Sequence, residues 1–329
     1  MILDPDGSEV DWLVGYGPPP EKYQEKLDKA QRGVDTFKSL SARYPEEPTS
    51  VEVMLKLALK HDSRNRLEKA EELYNRILVL DPGGNKGTTD FINEKVSCTQ
   101  YAEFNLGYHA LRNKTDTSPL KAFVKKYPDS VIVKEAYDRL STFYYHHVAP
   151  RAEAEVFYQE YAGRFPSDPA ALNSWVMRIL QDKAPVNKGI ELAEKAIALS
   201  KASPDPEITI NLAHLYLLKG DQLKAVAAAE KAAITAEDRL LLSIAEVFLE
   251  AGREDQALAI YGPAFVRKNY KTVTGLPLYV NFWLHKDKNL ESALEAGKRT
   301  VELMPNNWLT WYWISQIYIG SAEKAHYFP

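Results

Sequence analysis

The sequence is expected to fold as an all-α, right-handed solenoid of helix-turn-helix repeats with a short β-hairpin in front. Three observations predict this. Small residues recur at a near-constant interval, helix pairs close on proline, and only the first stretch has apolar residues that alternate.

The front element comes first. Ile2-Leu3, Asp4-Pro5-Asp6-Gly7 and Glu9 to Tyr16 read as strand, tight turn, strand, because proline presets one turn dihedral and Asp-Gly supplies the reversal. Val10, Trp12 and Val14 share one strand face. Gly17-Pro18-Pro19-Pro20 then ends the strand and opens a helix, since proline fits a first turn. One helix is expected to carry Tyr23, Leu27, Ala30, Val34, Phe37 and Leu40. Leu3-Asp4-Pro5-Asp6-Gly7, the strand ending in Gly15-Tyr16 and the prolyl helix start together resemble the C-terminal end of a thioredoxin-like domain. The resemblance covers about a tenth of the chain. It implies a redox Cys-x-x-Cys upstream, a motif that this sequence does not contain. The expected organisation is a front segment, residues 1–33, and a repeat array, residues 34–329, with a degenerate repeat at 84–130.

In the array, a small residue opens the second helix of each pair, and an aromatic or small residue follows four places on. Ala70 goes with Tyr74, Ala154 with Tyr158, Gly189 with Ala193, Ala225 with Ala229, Ala257 with Tyr261, and Ala293 with Gly297. The last five anchors step by 35, 36, 32 and 36 residues. Asp81-Pro82, Phe165-Pro166 and Met304-Pro305 close pairs. Leu212-Ala213-His214-Leu215-Tyr216 with Gly220-Asp221, and Ile244-Ala245-Glu246-Val247-Phe248 with Gly252-Arg253, repeat one first-helix pattern. In spacing and phase the chain resembles the tetratricopeptide repeat (TPR) family, whose period is about 34 residues. That resemblance implies about seven stacked helix pairs.

Two regions depart from the pattern. Gly83 to Gly87 and Asn113 to Pro119 read as loops, with a helix expected from Phe91 to Leu111 between them. The last helix is strongly aromatic, with Trp308, Trp311, Tyr312, Trp313, Ile314, Ile317 and Tyr318. Solenoid ends normally carry a polar cap, so self-association through this helix is one expectation.

Composition narrows the function. The 329 residues carry 41 basic and 45 acidic side chains, a net charge of −4, with no basic footprint for nucleic acid. No apolar run approaches the roughly 20 residues of a membrane span. The opening Met1-Ile2-Leu3-Asp4 is no signal peptide and reads as the start of a strand. The chain is therefore expected to be a piece of a longer protein, and its compartment, bacterial cytoplasm or periplasm, stays open. Asp4-Pro5-Asp6-Gly7-Ser8-Glu9 reads as a hairpin turn and not as a calcium loop, which needs ligands over about twelve residues. His146-His147 has no accompanying zinc ligands, and Cys98 reads as a core thiol. No phosphate-binding loop, dinucleotide glycine pattern or serine elbow is present. No cofactor, no metal and no catalytic residue is assigned, and the chain is expected not to be an enzyme.

The remaining handle is the groove. In the TPR family the first helix of each pair lines the concave face. Helical spacing then places Arg139, Phe143 and His146 inward, with Ser174, Arg178 and Gln181, with Ile210, His214 and Leu217, with Leu242, Glu246 and Leu249, and with Leu278, Phe282 and His285. Family members that bind chaperone C-termini carry paired Lys and Asn there. Ile210, Leu242 and Leu278 stand where that charge is needed, so chaperone binding is not carried over. The expected function is a scaffold that holds a peptide or partner protein in the groove. The alternative is the substrate-recruiting part of a thiol-disulfide oxidoreductase whose redox motif lies elsewhere. His146, His214 and His285 fall on the inferred face, and imidazole titration there predicts weaker partner binding between about pH 5 and 7.

Overall fold

The computed structural model describes residues 1–13, 20–146, 150–200, 205–237, 240–253, 256–257, 260, 290–303, 305–306, 308, 311–312 and 314–319. Two compact units divide the chain, Met1–Val148 and Ala149–Pro329.

Unit 1 opens with β1 (Ile2–Leu3) and β2 (Glu9–Asp11), paired antiparallel. Gly7 closes the turn at φ +84°, its N–H donating to the Asp4 carbonyl at 2.9 Å, a backbone region that glycine enters without steric cost. A hairpin of this size has little stability of its own, and ion pairs tie it to the helices behind. These are α1 (Pro20–Gln31), α2 (Phe37–Glu46), α3 (Val51–Ser63) and α4 (Leu67–Leu80). Asp11, at the end of β2, is buried, with one carboxylate oxygen 3.1 Å from Arg64 Nη2 and the other bound by Lys60. Arg64 also donates to Glu9 at 2.7 Å and lies over the Phe37 ring at 4.3 Å. Burial pushes the Asp11 carboxyl up, but the bonds from Lys60, the Trp12 N–H and Arg64 outweigh it and hold the group below its ordinary value.

The single helix expected from Tyr23 to Leu40 is two helices. The chain turns at Gly33 (φ +68°) and Asp35 (φ +51°), and the Thr36 side chain then caps α2 by accepting from the Ser39 N–H. Helical spacing carried across this gap because periodicity alone does not register a local cap, whose side-chain bond competes with helix continuation. A second correction concerns the region after Gly83. A hairpin, β3 (Thr88–Phe91) with β4 (Glu94–Ser97), occupies the place where the helix was expected to begin. The Ser97 side chain accepts from the Gln100 N–H, so the helix α5 (Cys98–Lys114) starts only after that cap. Helices α6 (Ser118–Lys126) and α7 (Ile132–His146) complete the elements of unit 1.

Unit 2 contains α8 (Arg151–Arg164), α9 (Pro169–Asp182), α10 (Val186–Leu199), α11 (Pro206–Lys219), α12 (Gln222–Ala233), α13 (Leu241–Glu250) and α14 (Leu290–Leu303). In unit 1, α3 packs on α4 and α5 on α6; in unit 2, α9 packs on α10 and α11 on α12. Ala70, Gly189 and Ala225 sit at three of these crossings, on α4, α10 and α12. Ala70, Ala154, Ala225 and Ala257 are fully buried, as are Tyr74, Tyr158, Ala193 and Ala229 four places on. At Gly189 an added Cβ would lie 2.8 Å from Leu215 Cδ2 and 3.0 Å from Ile179 Cγ2, so α9, α10 and α11 converge on the space that this glycine leaves. Asp81, Tyr127 and Phe165 end α4, α6 and α8 with φ between −123° and −137° and ψ between 57° and 62°, outside the helical region that a following proline disfavours.

Two outcomes follow. Asp11→Ala leaves the buried Arg64 guanidinium with Glu9 as its remaining carboxylate and removes the carboxylate that Lys60 binds, and should lower stability by about 3 kcal/mol, measured as a shift of the urea midpoint; a change below about 0.5 kcal/mol is what a surface site gives. Gly189→Val should lower stability by about 1–3 kcal/mol through overpacking against Leu215 and Ile179, whereas Gly163→Ala in α8, where the added Cβ meets no neighbouring atom within 4 Å, should raise stability by about 0.5–1 kcal/mol.

Candidate functional site

Two polar arrangements stand out, one in each unit. In unit 1, His109 of α5 is buried between carboxylates of two other helices. Its Nε2 is 2.8 Å from Asp62 Oδ1, at the end of α3, and its Nδ1 is 3.2 Å from Glu71 Oε1 on α4. The Tyr74 hydroxyl donates to the second Asp62 oxygen at 2.5 Å, and its ring meets the His109 ring edge-on at 5.9 Å. Arg112, one turn along α5, is engaged by the Asn65 side-chain oxygen at 3.0 Å. Burial alone would lower the imidazole pKa, yet the Asp62 and Glu71 carboxylates outweigh it and raise it. Burial, with Asp62 alongside, also pushes the Tyr74 phenol up. Both ring nitrogens therefore face acceptors, an arrangement suited to the charged imidazolium. It joins α3, α4 and α5.

Cys98 begins α5 fully buried, and burial, with smaller contributions from Glu52 and Asp81, pushes its thiol up to about 12. A thiol so raised is protonated at neutral pH and a poor nucleophile. Among the described residues, no group of three or more His, Cys, Asp or Glu side chains is arranged to hold a metal ion.

In unit 2 the first helices of successive pairs are bridged side chain to side chain. Asn211 of α11 donates its Nδ2 to Asn173 Oδ1 of α9 at 3.0 Å. One turn further on, His214 Nε2 lies 2.8 Å from Ser243 Oγ of α13. Asn173, Asn211, His214 and Ser243 are all half-buried, which leaves part of each accessible on the face that the first helices share.

The expected groove residues distribute unevenly around this face. His214 lies on it. Leu217 and Glu246 are half-buried on the same helices, α11 and α13. Ile210 is only 2% exposed and belongs to the core, so the polar row runs through its neighbour Asn211 instead. Arg178 is also buried, with its Nε 2.8 Å from Asp182. The half-buried Ser174 donates to the Ala170 carbonyl of its own helix at 2.9 Å, while the adjacent Asn173 makes the cross-helix bond. One residue is a rotation of about 100° on a helix. That offset explains both shifts, since apolar Ile210 gains more from burial than Asn211 does. The signal available in the sequence was the polar pair Asn173 and Asn211 at similar points of two successive first helices.

In unit 1, Arg139 is exposed and spans to α5. Its guanidinium carbon stands 4.6 Å over the Tyr108 ring, and the group pairs with Glu135 at 2.6 Å. Phe143 is half-buried against Tyr144, and His146 is exposed beside Tyr145. Leu242 lies on α13, but its side chain is outside the described set, and Leu278, Phe282 and His285 lie outside the described residues. Near the end of unit 2, Ile317 is fully buried, and a Cβ added at Gly297 of α14 would meet it at 2.9 Å. Trp308, Trp311, Tyr312, Tyr318 and Ile319 are exposed, and Trp311 donates its indole N–H to the Pro305 carbonyl at 2.8 Å.

Comparison with solved structures settles the architecture. A tetratricopeptide repeat protein from Parabacteroides merdae superposes over 82% of this chain and 98% of its own, at 14% identity and a TM-score of 0.54. The fold is that of a TPR solenoid. A structure reported for pilF of Pseudomonas aeruginosa matches 66% of this chain and 97% of its own, at 16% identity and a TM-score of 0.43. Residues 170–326 match the model of the ChAPs family, described as Chs5p-Arf1p-binding proteins. No curated protein matches the chain. No described helix of the TPR solenoid is long and apolar enough to cross a membrane.

The His109 cluster predicts a pH dependence. Because its folded-state pKa is raised, the stability that it adds is complete below the unfolded histidine value of about 6.5 and is lost as pH rises through the higher folded-state value. The thermal midpoint of unit 1, followed by amide exchange of α5 in the full chain, should fall as pH rises above about 6.5. His109→Gln should flatten that slope, and an unaltered slope would remove His109 as its source.

Proposed function

We propose that the chain is a protein-interaction scaffold that holds an extended segment of a partner along the face built from the first helices of unit 2. The observation that carries this reading is the side-chain row Asn173–Asn211 and His214–Ser243, which crosses three successive first helices. An extended peptide presents alternating backbone N–H and C=O groups. Asn and His side chains can donate or accept, and so can exchange hydrogen bonds with either. The Asn173–Asn211 bond uses one polar atom of each amide, leaving Asn211 Oδ1 and Asn173 Nδ2 for a ligand. The row is held by packed helices before a partner arrives, so little ordering cost falls on binding. Partly exposed Leu217 and Met177 beside the row add apolar contact.

Two comparisons support a protein partner. The TPR architecture is shared with the Parabacteroides protein. The ChAPs description is of proteins that bind Chs5p and Arf1p, and the match to that family, residues 170–326, includes the whole row.

The test is partner capture with the full chain as bait, comparing the natural sequence with Asn173→Ala/Asn211→Ala/His214→Ala. These positions are half-buried and outside the fully buried core, so far-ultraviolet circular dichroism should be unchanged. Affinity for the captured partner, titrated by calorimetry, should fall at least about tenfold, equivalent to about 1.4 kcal/mol. Equal affinity in the folded triple variant would place the binding surface elsewhere.

A further inference from the structure

We infer that unit 2 has a second docking site on its opposite side: a groove between α10 and α12 that seats an amphipathic helix presenting leucine-like side chains inward and two acidic side chains seven residues apart. The groove encloses about 410 Å³ and has α11 as its floor. Ile197, Leu212, Ala227 and Ala228 make its surface predominantly apolar, and Lys224 and Lys231 stand along one wall. It exists because α12 places alanines where larger side chains would fill the space. Ala225, Ala229 and Ala232 are spent on the inner packing, and Ala227 and Ala228 leave the outer side open.

Charge selects the occupant. Lys224 and Lys231 are both exposed and lie seven residues apart on one helix, about 10 Å along its axis. The carboxylate on the facing wall, Glu194, already accepts from the Tyr216 hydroxyl at 2.7 Å. Lys224 lies over the Tyr216 ring at 5.4 Å and only 3.5 Å from Asp221 at the helix start. The lining thus carries two lysines against one carboxylate, Glu194, with Lys224 also paired to Asp221. A helix with acids at i and i+7 matches that spacing, and leucines at i+3 and i+4 between them point at Leu212 and Ile197. This site shares no residue with the proposed peptide row, so the two can succeed or fail separately.

The probe is a synthetic, end-capped, fluorescein-labelled 15-residue helix with Glu at i and i+7 and Leu at i+3 and i+4. A second version carries Lys in place of both Glu. Anisotropy titration with the full chain should show saturable binding of the Glu helix, at least about tenfold tighter than the Lys helix. Lys224→Glu/Lys231→Glu should reverse that preference. Ala227→Trp, at an exposed position, should fill the trough and weaken binding at least about tenfold with circular dichroism unchanged. Asn211→Ala/His214→Ala should leave it unaltered. The inference is overturned if no saturable binding is seen, if the two helices bind equally, or if charge reversal in the folded protein has no effect.

Discussion

The closest approach of the packed helices is set by one small side chain in each pair. At Ala70, Gly189 and Ala225 the second helix presses against its surroundings with almost nothing in between. Interiors are packed as densely as organic crystals, so one added methyl group at Gly189 meets Leu215 and Ile179 below contact distance. The rest of the array follows from that constraint. A close crossing brings the bulky neighbour Tyr74 into full burial, and each pair then leaves an apolar edge that only the next pair can cover.

The same constraint produces two surfaces. On the side of the first helices, polar residues meet across the gap between pairs, and Asn173–Asn211 and His214–Ser243 bond at 3.0 and 2.8 Å. Hydrogen bonds between already-packed helices add little net stability, but they fix where donors and acceptors stand. On the side of the second helices, Ala227 and Ala228 of α12 line a trough beside Lys224 and Lys231. Both proposed binding surfaces thus arise as by-products of how closely the helices can approach.

Unit 1 is secured differently. Its hairpin is too small to hold its own shape, and the Asp11–Arg64 pair, with Glu9 and Lys60, fastens it to the end of α3. His109 does a similar thing among helices, drawing Asp62 of α3 and Glu71 of α4 to α5. Both devices place charge in buried positions, where it is stable only when fully partnered. They hold specific elements in specific places, a task that apolar packing alone performs with less selectivity.

The order of helices in the array and the crossings marked by Ala70, Gly189 and Ala225 follow from the sequence by itself, because each repeat writes the same local requirement at the same interval. The front turn at Gly7 is equally local, since only glycine enters that backbone region freely. What tertiary structure decided was rotation and partnership. Ile210 and Asn211 are adjacent, and only the neighbouring helices determine that the first is buried and the second reaches Asn173. The hairpin from Thr88 to Ser97 and the break between α1 and α2 lie where caps override a continuing period. Asp11 with Arg64, and His109 with Asp62 and Glu71, join residues far apart in the chain. Periodicity is a property of one helix, whereas a paired buried charge depends on which helices meet.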